Sequence, residues 1–239
     1  EGVAVTAVLI GDAAAPLAEK LPPYGVSQAI LVRHAKLADY APEAWAEAVV
    51  QLAKEKEVKA IMATGTDRGN ELLAHIAARL NQAMAANVTQ VTVGEPYQIT
   101  RVRWGGSLLE EAHLHGEIKL LTVAPLTLSA TTAPVAEMAT ENFSPDLDDK
   151  LFRVQVTARE EPEADKISLG EARLVVGGGR GVGSAEGFAA LDELANLLGG
   201  AVGGSRVATN LGWRPHADQV GQTGTRIAPD LYISCGISG

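Results

Sequence analysis

The 239-residue sequence is short of cysteine, of aromatic side chains and of long apolar runs, and each shortage excludes a class of protein. A single cysteine, Cys235, excludes an internal disulfide framework and a cysteine-only metal cluster, and is typical of the cytoplasm or the mitochondrial matrix. Aromatic residues make up only 4% of the chain, which favours tight backbone packing over a core of large rings. The longest apolar run, Val3 to Ile10, is too short to span a bilayer and predicts a strand.

Positive charge is also scarce. Lys and Arg number 20 against 29 Asp and Glu, which gives a net charge of −9 at pH 7. Such a surface would repel phosphate backbones and anionic lipids, so the sequence argues against general binding to nucleic acids or to anionic membranes. Hydrophobic residues make up 46% of the chain and charged residues 21%, which is typical of a soluble globular protein with one large α/β domain or two smaller ones.

Strand-like and helix-like runs alternate in the first part of the chain, which predicts an α/β fold with a parallel sheet. Apolar side chains at helical spacing predict helices over Pro42 to Glu55 and Arg68 to Asn81. The shorter β-type runs that follow are typical of an antiparallel excursion at a sheet edge. The predicted strands are Val3 to Ile10, Gln28 to Arg33, Val58 to Ala63, Thr89 to Val93, Ile99 to Trp104, Ile118 to Val123 and Phe152 to Thr157, with a Pro/Thr/Ala-rich passage from Ala124 to Pro145.

The composition changes at an acidic stretch, Arg159 to Lys166, that contains Pro162. Residues 167–239 hold 16 of the 25 glycines and five arginines but no lysine, whereas most of the acidic excess lies before the stretch. We therefore predict a first domain over residues 1–158, a linker over 159–166 and a second domain over 167–239. The chain begins without methionine and directly in a strand, so we also expect it to be a fragment.

The second domain begins with a strand, a glycine-rich turn and an amphipathic helix. The strand Arg173 to Val176 leads into the turn Gly177 to Ser184, and the helix is predicted over Ala185 to Leu198. A turn of this kind is a common phosphate site, because backbone N–H groups point at the ligand. No frame gives G-x-G-x-x-G, however, and Ser184 stands where a Walker motif needs lysine. The alternative is that the glycines only allow a tight turn and close helix packing.

Two further loops complete the candidate site. A short strand, Ala201 to Val202, ends in Gly203-Gly204-Ser205-Arg206, where a NAD-binding unit would present Asp or Glu. An arginine there suits a 2′-phosphate or another electron-rich group. The polar loop Gln219 to Gly224 precedes a predicted strand, Leu231 to Cys235. Three arginines adjoin these loops, with a solvated surface position as the alternative for each: Arg180, Arg206 and Arg226.

Three segments resemble the flavin-binding domain of the alpha subunit of electron transfer flavoprotein. They are LVVGGGRGVGS, VGGSR and HADQVGQTGTRIAPDLYISCGISG, and their spacing also fits that family. The first domain is similar in its order of strands and helices and in the TVAP segment at Thr122. The resemblance implies two Rossmann-like α/β domains. The first would be adenine-nucleotide-hydrolase-like without its first strand and helix, and the second a parallel-sheet FAD-binding domain without its C-terminal part.

The resemblance also implies the residues that hold FAD. They are Arg180, Ser205, Arg206, Val220, Gly221, Gln222, Thr223, Ser238 and Gly239. No catalytic residue and no metal is implied. Two residues are expected to tune the reduction potential: Arg206, whose charge favours reduced anionic flavin over the neutral oxidised ring, and Thr223, whose hydroxyl would donate a hydrogen bond near flavin N5.

The implied function is electron carriage, not catalysis, in a heterodimer whose beta subunit would hold AMP or a second FAD. Electrons would come from flavin dehydrogenases, such as the acyl-CoA dehydrogenases of fatty acid β-oxidation. They would pass to an electron-transfer-flavoprotein quinone oxidoreductase or a similar acceptor, and a bifurcating complex stays open as an alternative. Two other hypotheses also stay open. One is an NADP-dependent oxidoreductase that uses Arg206 for the 2′-phosphate, and the other is a non-catalytic assembly scaffold.

The remaining candidates carry weaker predictions. His113 and His115, close to three glutamates, predict an exposed hairpin more than a metal site. Cys235 is expected to be an inert thiol in an apolar strand. Core packing is predicted for the tryptophans, with approach to the cofactor or the partner subunit as an alternative for the last of them: Trp45, Trp104 and Trp213.

Overall fold

The computed structural model describes residues 5–158 and 167–237. The chain divides into two compact units, with the division between residues 159 and 160. The predicted linker, residues 159–166, lies outside the described residues, so its boundaries stay a prediction.

The first unit consists of eight strands and two α-helices within the described residues. Three parallel strands form one sheet in the order β1-β2-β8, and five strands form a second in the order β3-β7-β4-β5-β6. The elements are β1 (Thr6–Ile10), β2 (Gln28–Val32), α1 (Pro42–Glu55), β3 (Ala60–Thr64), α2 (Asp67–Leu80), β4 (Met84–Thr92), β5 (Tyr97–Arg103), β6 (Leu108–Leu114), β7 (Lys119–Val123) and β8 (Ala139–Phe143).

Helix α1 contributes side chains to two hydrophobic clusters of this unit's core. Pro42 occupies its first turn, where a missing N–H costs nothing. One side of the helix packs with Ile30 and Val32 of β2, and another packs with Leu73 and Ile76 of α2. The helix therefore has the bounds that its apolar spacing predicts, because both sides bury apolar side chains.

The second sheet contains the predicted antiparallel excursion. Strands β3, β7 and β4 are parallel, whereas β5 and β6 add antiparallel pairs at one edge. The sequence did not predict β6, whose first two leucines, Leu108 and Leu109, are exposed. Arg101 on β5 donates to Glu110 on β6 at 3.0 and 3.2 Å, a cross-strand pair that supports this edge.

Two predictions for the first unit are wrong, and one further strand was not predicted. No strand forms over Phe152 to Thr157; instead Asp149–Phe152 is a 3₁₀ helix, because Phe152 turns into the core beside α1. The passage from Ala124 to Pro145 contains β8, which pairs with β2. Trp104 is 80% exposed at the turn between β5 and β6, whereas Trp45 packs against the core as predicted.

The second unit has one sheet of three parallel strands in the order β10-β9-β11. Phe188, Leu191 and Ala195 of α3 pack over Val176 of the central strand, and Trp213 packs against this cluster, as predicted for core packing. Cys235 is half-buried at the same cluster. The elements are β9 (Leu174–Gly178), α3 (Phe188–Leu198), β10 (Ala201–Gly204), α4 (Arg206–Asn210) and β11 (Leu231–Cys235).

Residues 5–158 and 167–237 include no helix with the length and apolarity needed to cross a bilayer.

Candidate functional site

The predicted site residues that the structure describes lie at the carboxyl ends of β9 and β10, in the sheet that also contains β11. These ends meet at one edge of the sheet because the three strands are parallel. Arg180 follows β9, and Ser205 and Arg206 follow β10. In open α/β sheets, ligands bind in the crevice outside the carboxyl ends of the strands. The fold thus brings residues from separate loops to the edge where a ligand is expected.

Two backbone N–H groups of the glycine-rich turn form hydrogen bonds within the protein. The Gly179 N–H donates to Cys235 O at 2.9 Å, and the Gly181 N–H donates to Gly236 O at 2.9 Å. A Cβ on Gly179 would lie 2.3 Å from Gly236 O, so only glycine allows this approach. Gly179 and Gly181 therefore fit the alternative in which the glycines allow a tight turn and close packing, because their N–H groups donate to the end of β11 and the residue after it. Helix α3 also begins later than predicted, at Phe188.

The arginines of the second unit fall into two groups. Arg173 forms an ion pair with Asp230 at 2.6 Å. Arg214 forms ion pairs with Asp192 at 3.1 Å and with Asp218 at 2.8 Å. The other arginines are exposed, and their side chains form no hydrogen bond or ion pair with any residue that the structure describes: Arg180, Arg206 and Arg226. Their positive charge is therefore free to meet an anionic ligand.

Ser205 connects two strand ends and begins helix α4. Its N–H donates to Gly178 O at 2.8 Å, which ties the end of β10 to the end of β9. Its hydroxyl accepts a hydrogen bond from the Ala208 N–H at 3.4 Å as the helix cap. Arg206 is then the exposed first residue of α4. Ser238 and Gly239 lie outside the described residues.

The loop from Gln219 to Thr225 is held against the end of β10. The Val220 N–H donates to Gly204 O at 3.0 Å. The Thr225 N–H donates to Gln219 O at 2.7 Å, which closes the loop. Gln222 and Thr223 are exposed, so their polar side chains are available to a ligand.

Gln219 is a site residue that sequence reasoning did not single out. Its side chain is buried, with only 2% of the residue exposed, whereas Gln222 in the same loop is exposed. Thr209 Oγ1 donates to Gln219 Oε1 at 2.7 Å, and Gln219 Nε2 donates to Thr223 Oγ1 at 2.8 Å. Nothing in the sequence distinguishes the two glutamines, because the difference arises from how the loop folds back.

The donors at this edge fit the chemistry of FAD. Guanidinium groups match a pyrophosphate or an electron-rich ring, and hydroxyl and amide groups match the polar edge of a flavin. The residues that would hold FAD include four exposed ones, Arg180, Arg206, Gln222 and Thr223, and three half-buried ones, Ser205, Val220 and Gly221.

The histidine pair in the first unit does not form a metal centre with other described side chains. His113 and His115 are both exposed, and their ring centroids lie 6.3 Å apart. Among described residues, no group of three or more His, Cys, Asp or Glu side chains is arranged to hold a metal. His113 also lines a cleft of about 690 Å³ on the face of β4, β5 and β6.

Two family models match the chain. The electron transfer flavoprotein domain matches residues 1–146, and the electron transfer flavoprotein FAD-binding domain matches residues 168–239. The second match includes every predicted cofactor-binding residue.

Curated relatives match over nearly the whole chain. Electron transfer flavoprotein subunit alpha of Thermoanaerobacterium thermosaccharolyticum is 34% identical over 100% of this chain and 74% of its own length. Protein FixB of Clostridium saccharobutylicum is 34% identical over 100% of this chain and 72% of its own length. Electron transfer flavoprotein subunit alpha of Mycobacterium leprae is 35% identical over 98% of this chain and 73% of its own length. The chain belongs to the electron transfer flavoprotein alpha-subunit family.

Proposed function

We propose that this chain holds FAD at the carboxyl edge of β9, β10 and β11 and serves as the FAD-binding subunit of an electron carrier. The observation that carries the proposal is the set of exposed arginines without partners among the described residues: Arg180, Arg206 and Arg226. Their guanidinium groups carry permanent positive charge with no internal partner among the described residues, which suits the binding of an anionic cofactor. FAD, when bound, supplies the redox chemistry.

Each predicted residue has a role in this proposal. Arg180 binds the anionic part of the cofactor, while Ser205, Arg206 and the loop residues Val220, Gly221, Gln222 and Thr223 surround the flavin ring. Arg206 provides a permanent positive charge, which stabilises negative charge on a reduced ring by Coulomb attraction. Ser238 and Gly239 remain in the proposal as the start of a segment along the cofactor.

The proposed partner is an electron transfer flavoprotein beta subunit, which would hold AMP or a second FAD. The proposed electron donors are flavin dehydrogenases such as acyl-CoA dehydrogenases, and the proposed acceptor is a quinone oxidoreductase or similar protein. This assembly would work in the cytoplasm or the mitochondrial matrix. No catalytic residue is assigned, since the task of the chain is to bind the cofactor and set its potential.

The test is a reductive titration of the full-length protein co-expressed with its beta subunit. We expect FAD to co-purify. We expect Arg206→Ala to lower the one-electron reduction potential by about 60 mV, which is a tenfold change in the equilibrium constant. Arg173→Ala is the matched control, because Arg173 is an exposed arginine that precedes β9, at the opposite edge of the same sheet.

Two outcomes would contradict the proposal. One is a wild-type heterodimer that contains no flavin and takes up none when FAD is added. The other is an equal change of potential in Arg206→Ala and Arg173→Ala, which would mean that net charge alone matters. In the first case, NADP binding would separate the oxidoreductase hypothesis from the scaffold hypothesis.

A further inference from the structure

Gln219 is a buried amide beneath an exposed loop, and both ends of the amide are satisfied. An unsatisfied amide buried at 2% exposure would cost about 1–3 kcal/mol. Here the oxygen accepts from Thr209 and the nitrogen donates to Thr223. The side chain therefore links helix α4, which begins at Arg206, with the loop that carries Thr223.

The link has a direction, because an amide has distinct donor and acceptor ends. The Thr209 hydroxyl oxygen lies 2.7 Å from Gln219 Oε1 and 3.1 Å from the Arg206 carbonyl oxygen, and donation of its one proton along the shorter contact places the amide oxygen toward α4. The Nε2 group then faces Thr223 and donates to its hydroxyl oxygen at 2.8 Å. A hydroxyl has one proton and can accept as well as donate. Since Thr223 accepts from Gln219, its own proton is directed elsewhere.

The Thr223 proton has no acceptor among the residues that the structure describes. Thr223 is exposed, so this proton is available to a ligand on the outer side of the loop. The loop itself is anchored, since the Val220 and Thr225 N–H groups bind Gly204 O and Gln219 O. The hydroxyl oxygen is therefore held in place by Gln219 while its proton stays available for a ligand.

We propose that Gln219 is a positioning residue that fixes the Thr223 hydroxyl as a donor toward the bound ligand, with Thr209 as the anchor of the amide. The inference rests on the proposed function, in which Thr223 faces the flavin ring. A directed donor stabilises the electron-rich, reduced ring more than the oxidised ring. Gln219 thereby raises the reduction potential without touching the cofactor.

The test is a double-mutant cycle on the full-length heterodimer with bound FAD, using Gln219→Met and Thr223→Val. We expect Gln219→Met to lower the one-electron equilibrium constant three- to tenfold, which is about 30–60 mV. In the Thr223→Val background the same substitution should change it less than twofold, because the hydroxyl through which it acts is gone. Native-state amide exchange of Val220 and Thr225 reports whether the loop remains folded in each variant.

Thr209 provides a second pair of variants if Gln219→Met fails to fold. Thr209→Val removes the donor to Oε1 and should shift the potential in the same direction as Gln219→Met. Thr209→Ser keeps the hydroxyl and should leave the potential unchanged. A purely structural role would not separate these two substitutions in this way.

Three results would overturn the inference while leaving FAD binding intact. One is a full Gln219→Met shift in the Thr223→Val background, and another is no shift from Gln219→Met in a folded variant. The third is a rise in potential, which would mean that Thr223 donates to Gln219. A heterodimer that binds no FAD would contradict the proposed function itself, and the inference would fall with it.

Discussion

The two units place the carboxyl ends of parallel strands in contrasting surroundings. In the first unit, Arg33 follows β2 and pairs with Asp12, which follows β1. The Thr122 hydroxyl near the end of β7 donates to Asn70 Oδ1 at 2.7 Å. In the second unit, Arg180 and Arg206 follow β9 and β10 without a side-chain partner among the described residues.

The difference shows that the loops, and not the sheet, distinguish the units. Both have parallel strands with helices packed against them. The first satisfies polar groups at its strand ends with its own side chains, whereas the second leaves positive charge exposed. A common fold thus carries a ligand site only where the loop residues remain available.

The largest effect is expected from a substitution that breaks the close contact between Gly179 and Gly236. Gly179→Ala places a Cβ 2.3 Å from Gly236 O, so the turn and the end of β11 must separate. We expect the free energy of unfolding to fall by about 1–3 kcal/mol and FAD to be lost during purification. Denaturant unfolding and the flavin-to-protein absorbance ratio measure the two effects.

Gly199→Ala is the control for that substitution. Gly199 has a φ of +67°, but no atom lies within 4 Å of its added Cβ. Only the cost of a left-handed alanine applies, about 1–2 kcal/mol, and FAD should be retained. Retention of FAD by Gly179→Ala at wild-type level would show that the contact with Gly236 is not required for the site.

A smaller effect tests whether unpaired charge is what distinguishes the second unit. Arg180→Ala should weaken FAD binding by about 10- to 100-fold, since a hydrogen bond to a charged group contributes about 1.5–3 kcal/mol. Arg33→Ala in the first unit should change the affinity less than twofold, because Arg33 already pairs with Asp12. Calorimetric titration of the flavin-free heterodimer with FAD gives both values. Equal losses in the two variants would remove the distinction between the units.

The smallest expected effect concerns the first unit, where a paired side chain, Tyr40, should make stability depend on pH. Tyr40 donates to Glu71 Oε2 at 2.8 Å, and burial, with this hydrogen bond, raises the pKa of the Tyr40 hydroxyl. The folded state therefore keeps a proton that the unfolded chain loses above about pH 10. Stability from this group is present below about pH 10 and declines as the pH rises further.

The decline should be at most about 1.4 kcal/mol per pH unit, and less in practice because Tyr40 is partly exposed to solvent. Tyr40→Phe should remove this part of the pH dependence. Denaturant unfolding of both proteins between pH 9 and 11, roughly one unit on either side of the tyrosine pKa, measures the effect. Parallel pH profiles for the two proteins would show that Tyr40 contributes nothing.

Local patterns predicted the helices and the buried strands well. Helix α1 has its predicted bounds, Pro42–Glu55, because the proline and the apolar spacing act within the helix itself. Strand β8 escaped prediction because Ala139–Phe143 is mostly polar and partly exposed, and its pairing with β2 joins distant parts of the chain. The predicted strand from Phe152 to Thr157 is absent because Phe152 is buried by packing near helix α1, and not as part of an alternating strand.

The sequence by itself determined the α/β class, the glycine-rich turn, the arginines beside it and the resemblance to electron transfer flavoprotein. Those features depend only on the order of residues along the chain. Only the tertiary structure decided that Arg173 and Arg214 are paired while Arg180, Arg206 and Arg226 are not, and that Gln219 faces inward. An ion pair or a buried hydrogen bond needs two groups within about 3 Å, and that distance is set by the fold.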